Sequence, residues 1–187
     1  MVTSTRLTLD EFLALPETEP PSEYICGEVV QKPMPSPYHA MLAASLAAAL
    51  HNHVARTREA VVMVEARHAQ RSEQRAYLPD IEVILRSRLP ADRPTLLRGP
   101  LELPADIAIE VLSPEDRPGA IAEKLAFYLR AGTPLVWIVD PEEETVAVHR
   151  PGRPSTLHRA GDILDAAPVL ASFTLDVGEL FAALDQA

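Results

Sequence analysis

Residues 106–139 read DIAIEVLSPEDRPGAIAEKLAFYLRAGTPLVWIV, and three elements separate within them. Residues 106–112 are almost all aliphatic, several of them β-branched, and too few for a core helix, so they predict a strand. From Pro118 to Ala131 the apolar residues Ile121, Leu125, Tyr128 and Leu129 recur at helical spacing, with Pro in the first turn and Gly132 and Pro134 after the end. Residues 135–139, LVWIV, predict a second strand. A helix that directly follows a strand with an apolar stripe of its own packs back over the sheet.

The flanks extend this core. Upstream, residues 61–67 and 80–85 predict two more strands. Ser36-Pro37 opens a long helix to about Arg56 with a buried stripe of Leu42, Leu46, Ala49, Leu50 and His53. A hairpin is expected over 23–32, turning near Gly27, and a short helix over 8–15, where Thr8 and Glu11 form a capping box. Residues 86–104 are studded with proline and predict a surface excursion holding one helical turn. Downstream, 145–150 and 155–159 are antiparallel candidates, 173–177 an edge strand and 179–184 a terminal helix. The expectation is an α/β fold: a restriction-endonuclease-like mixed sheet flanked by helices, with an antiparallel extension, in a single domain over 1–187.

With 187 residues, the chain is long enough to bury roughly 70% of its unfolded surface. The sole cysteine, Cys26, excludes an intramolecular disulfide framework and a cysteine-rich zinc site. No apolar run reaches the roughly 20 residues of a membrane helix, and the N-terminus lacks an apolar secretory core, so a cytoplasmic protein without membrane contact is expected. The net charge of −10 opposes sequence-independent binding to a phosphate backbone. A nucleic-acid reading therefore needs a local basic patch or neutralising metal ions. Only two of the 17 basic residues are lysines, Lys32 and Lys124, which makes a lysine's position more informative than usual.

Side-chain direction singles out three residues. Period 2 aligns Asp80, Glu82 and Ile84 on one face of their strand, and Asp106, Ala108, Glu110 and Leu112 on one face of theirs. Glu110 thus stands mid-strand among aliphatic residues, where a carboxylate is costly unless a cation compensates it. A metal ion, an arginine across the sheet or a lysine would serve. Lys124 borders the buried face of the next helix and fits that role; its plainer reading is a side chain snorkelling to solvent. For Asp80 the plainer reading is a Pro-Asp turn before a strand.

Several short stretches occur together and in one order: Glu23-Tyr-Ile-Cys-Gly-Glu28, Ser36-Pro-Tyr-His39, Pro79-Asp80-Ile-Glu-Val, Glu110-Val-Leu-Ser-Pro114, Glu123-Lys124-Leu-Ala-Phe-Tyr128 and Val136-Trp-Ile-Val-Asp-Pro141. In this the chain resembles the bacterial family of proposed restriction endonucleases, formerly a domain of unknown function, within the PD-(D/E)XK nuclease superfamily. The resemblance runs from about Thr8 to Phe181.

The resemblance implies a metal-dependent endonuclease acting on DNA. Asp80 and Glu110 would hold Mg²⁺ or Mn²⁺ together with the main-chain carbonyl of Val111, and Glu28 would be a further ligand. Lys124 would orient the attacking water or stabilise charge on the scissile phosphate. The superfamily's usual lysine position, two after the acid, holds Leu112, so the lysine has moved to the helix. His39 matches a family position as a phosphate or metal contact, against the reading of a packed neutral histidine. Cys26 and Ala120 replace acidic residues usual in such sequences. With the negative net charge, they favour the alternative of a nuclease-like fold serving as a binding or assembly module. The arginines Arg67, Arg71, Arg75, Arg86, Arg88, Arg93 and Arg98 would line a DNA-facing rim or balance nearby acids. A histidine-based zinc hydrolase lacks suitable ligand spacing. A homodimer is expected, since two sites suit cleavage of two strands.

Overall fold

The computed structural model describes residues 7–92 and 99–182. Its contacts fall into two compact units, each assembled from separate stretches of chain.

The first unit comprises Met1–Met34, Ala66–Leu78 and Pro90–Pro104. It opens with helix α1 (Leu9–Leu13), whose Thr8–Glu11 capping box forms as the sequence predicts. A four-stranded antiparallel sheet follows in the order β2 (Glu28–Gln31), β1 (Ser22–Ile25), β5 (Arg75–Tyr77), β4 (His68–Gln70). The β1–β2 hairpin turns on Cys26 (φ 49°) and Gly27 (φ 100°). Two successive positive φ values match the right-handed twist of the flanking strands. Phe12 stacks on Tyr24 at 5.4 Å, and these two residues with Leu9 and Ala76 form this unit's small core.

The second unit comprises Pro35–Glu65, Pro79–Leu89 and Ala105–Ala187. Its sheet has six strands in the order β10 (Thr156–His158), β9 (Thr145–His149), β8 (Leu135–Asp140), β7 (Ile107–Val111), β6 (Ile81–Leu85), β3 (Ala60–Val64). Only β7 and β8 run parallel; the other neighbours are antiparallel. The parallel pair needs a long crossover, and helix α3 (Pro118–Ala131) supplies it. Gly132 ends that helix at φ 101°, a left-handed position that glycine fills without strain.

The two faces of this sheet differ in chemistry. One presents Ile81, Val83, Ile107, Ile109, Val111, Leu135, Trp137 and Val139. Helix α2 (Pro37–Thr57) covers it with Leu42, Leu46, Leu50 and Val54. The hairpin β11 (Ile163–Ala166) and β12 (Leu170–Asp176) and helix α4 (Val177–Ala182) join the same core through Leu164, Phe173 and Phe181. Each such leucine buried contributes about 1.5–3 kcal/mol. The opposite face carries Glu82, Ala108 and Glu110, with α3 bonded to it through Lys124 and Tyr128. The fold is thus the expected mixed α/β sheet flanked by helices, with carboxylates on the face that α3 meets.

Among the described residues, no helix is long and apolar enough to cross a membrane. Most predicted elements appear within a residue or two of their expected bounds. The three-residue strands β4 and β5, and β11, lie outside the expectations.

Candidate active site

The register of β6 against β7 pairs Ile81 with Ile109 and Glu82 with Ala108. Asp80 lies one residue before β6. Asp80 and Glu110 are both buried. The main-chain N–H of Val111 donates to Asp80 Oδ2 at 2.8 Å, which anchors the Asp80 side chain to the strand that carries Glu110. The Asp80 carbonyl also accepts from Glu65 N–H at 3.3 Å.

Helix α3 supplies two partners of Glu110. Lys124 Nζ donates to Oε2 at 2.9 Å, and the Tyr128 hydroxyl donates to Oε1. Spacing of four on a helix stacks these two side chains on one face. Only 12% of the Lys124 side chain is exposed, so the lysine turns inward and does not snorkel. Lys124 on the helix thus supplies a cation for Glu110. Breaking such a buried pair from one side is costly, because the remaining charge keeps its desolvation penalty.

His39 stands in the first turn of α2. The Ser36 cap accepts from its main-chain N–H at 3.1 Å. Its ring lies between two side chains: Nδ1 is 3.1 Å from Ser113 Oγ, and Nε2 is 3.5 Å from Asp80 Oδ2. Ser113 follows β7 in a tight turn, where Asp116 Oδ2 accepts its main-chain N–H at 2.7 Å. The second unit therefore gathers Asp80, Glu110, Val111, Lys124 and His39. Glu28 stands exposed on β2 of the first unit, and is not one of the residues the second unit brings together.

Two contributors carry no assigned role in the sequence reading. Tyr128 was readable as core, and its spacing from Lys124 was the signal that it reaches the same carboxylate. Ser113 gave no periodic signal, because it follows the strand in a turn.

The donors here are hard carboxylate oxygens. Among the described residues, no group of three or more His, Cys, Asp or Glu side chains is gathered to hold a metal ion. Two carboxylates do fit Mg²⁺, which binds through one or two of them and completes its shell with water and substrate oxygens.

Three of the arginines read as a rim form ion pairs. Arg67 forks onto Glu17 at 2.7 and 2.6 Å. Arg71 pairs with Asp10 and Glu102, which holds its guanidinium pKa above the ordinary value. Arg88 pairs with Asp106 at 2.6 Å, and Arg75 is buried. Arg67, Arg71 and Arg88 thus balance acids, Arg86 is exposed, and Arg93 and Arg98 lie outside the described residues. A pocket of about 970 Å³ in the second unit is walled by Ile121, Leu125 and Ile138 and rimmed by Asp140, Glu142 and Glu144. Such a rim repels phosphate. His149 also lines this pocket, and burial lowers its pKa below the ordinary histidine value.

Nothing among the curated proteins matches the chain. A crystal structure from Anabaena variabilis, described as a "putative nuclease belonging to DUF820", superposes with a TM-score of 0.85 at 33% identity. The superposition covers 95% of this chain and 99% of that one. The model of the Uma2 family, described as "Putative restriction endonuclease", matches residues 9–178. The match spans nearly the whole described chain, which belongs to the Uma2 family.

Proposed function

We propose that the chain is an endonuclease that hydrolyses DNA phosphodiester bonds with Mg²⁺ or Mn²⁺. The observation that carries this reading is the buried Glu110 with Lys124 brought to it from α3, beside an Asp80 carboxylate held by the main-chain N–H of Val111. A buried lysine salt-bridged to a mid-sheet carboxylate has no simple stabilising rationale, since apolar residues of similar volume serve stability as well or better. Asp80, Glu110 and the Val111 carbonyl would hold the cation. When bound, the cation would lower the pKa of a water and neutralise charge on the scissile phosphate. Lys124 contributes a positive charge at the same carboxylate, positioned to donate to a phosphate oxygen or orient the water. Tyr128 fixes the Glu110 carboxylate through its hydroxyl. A homodimer would bring one such site to each DNA strand.

Cleavage of supercoiled and single-stranded DNA with Mg²⁺ or Mn²⁺ tests this, comparing the wild type with Asp80→Ala and Lys124→Ala. The expected result is metal-dependent cleavage that both variants lose. Activity that survives Asp80→Ala would refute the assignment of residues. No cleavage and no metal-dependent stabilisation would refute the nuclease reading in favour of a binding or assembly module, which the net charge of −10 and the engaged arginines also suit.

A further inference from the structure

We propose that Ser113 and His39 are positioning residues that set the orientation of the Asp80 carboxylate, so that His39 makes no contact with the substrate. The inference rests on the metal-dependent nuclease reading above. Its geometric basis is a chain of three side chains, Ser113 Oγ to His39 Nδ1 at 3.1 Å and His39 Nε2 to Asp80 Oδ2 at 3.5 Å. All three are largely enclosed: Ser113 and Asp80 are buried, and the His39 side chain is 13% exposed.

The direction of the chain follows from charge. A bare imidazole lone pair facing a carboxylate oxygen is repulsive, so Nε2 carries the proton toward Asp80. In the neutral ring Nδ1 is then the acceptor, and the Ser113 hydroxyl must donate to it. The carboxylate thereby selects the tautomer that aims an N–H at it, and Ser113 supports that tautomer by donating to Nδ1. Asp80 Oδ2 is then held from two sides, by Val111 N–H at 2.8 Å and by the ring. Two contacts on one oxygen fix the rotation of the carboxylate plane, which one contact leaves open. The ring itself is held at its backbone by the Ser36 cap. Outer partners of this kind orient the groups that bind a cation.

The test is Mn²⁺ titration calorimetry on the full chain without DNA, followed by kcat and KM for cleavage. The variants are Ser113→Ala, His39→Ala, His39→Asn, His39→Gln and the double variant Ser113→Ala/His39→Ala, each with a thermal melt as a folding check. Gln extends an amide N–H toward the position of Nε2, whereas Asn reaches only that of Nδ1. The expected result is a Mn²⁺ affinity about 10–100-fold weaker in His39→Asn, partial rescue in His39→Gln, and a fall in kcat with KM for DNA little changed. Ser113→Ala should weaken affinity alone but add nothing to a His39→Ala background, because the two act through one chain.

Unchanged Mn²⁺ affinity with raised KM would overturn the proposal and make His39 a substrate contact. Additive losses would overturn the link through Ser113. A wild type that binds Mn²⁺ yet cleaves no DNA would overturn the nuclease reading and leave the Mn²⁺ arm of this test standing, whereas a wild type that binds no Mn²⁺ would overturn both. Ser113→Ala serves as the mild variant if His39→Asn does not fold.

Discussion

Replacing Lys124 with Met tests the central electrostatic claim directly. Methionine keeps most of the side-chain volume and removes the ammonium that stands 2.9 Å from Glu110 Oε2. Glu110, 6% exposed at its side chain, keeps the Tyr128 bond but loses its cation. Removing one partner of a buried pair typically costs about 3–5 kcal/mol; the lower end applies here, because Tyr128 still donates. At roughly 2–4 °C per kcal/mol for a chain of this size, a loss near 3 kcal/mol lowers Tm by about 6–12 °C. The double variant Lys124→Met/Glu110→Gln removes both charges and should be more stable than Lys124→Met alone, since no uncompensated carboxylate remains. Mn²⁺ should restore stability preferentially in Lys124→Met, where the cation takes over the missing charge; at 100 times Kd the gain is about 2.7 kcal/mol. Thermal melts by circular dichroism, with and without Mn²⁺, read all three. A Lys124→Met loss below about 0.5 kcal/mol, the range of surface substitutions, would refute the buried ion pair and return Lys124 to solvent.

Two further outcomes follow from the second unit. Leu46, fully buried under the sheet, should cost about 2–5 kcal/mol when truncated to Ala, read as a shifted urea midpoint at unchanged m; a loss under 1 kcal/mol would mean that α2 repacks. His149 has its pKa lowered by burial, so as the pH falls below about 6.5 the unfolded chain takes up the proton first. Its contribution is therefore complete above that pH and lost below it; the wild type should lose stability between pH 7 and 5 more steeply than His149→Gln, and parallel curves would refute the assignment.

What was legible in the sequence depended on how each residue announces itself. The strand–helix–strand of 106–139 was readable because its apolar period changes from strand to helix and back, and because Gly132 is a stop signal that needs no tertiary context. β4 and β5 were not, since three residues with His68, Gln70 and Arg75 among them show no period. Nor was the interleaving of two units, which depends on which segments meet and not on what each contains. The candidate site divides along the same line. Asp80 and Glu110 could be nominated because a carboxylate in an aliphatic strand is costly wherever the chain folds. That Asp80 comes to lie against the main chain of β7 is a matter of register, which period 2 does not supply. Lys124 shows the limit most clearly. Its position at the edge of an amphipathic stripe fits snorkelling and an inward salt bridge equally, and only the sheet beneath decides between them. The decision goes inward because Glu110 carries a desolvation cost that no other residue on its own strand relieves. Position along the helix offered a choice, and the charge in the sheet made it.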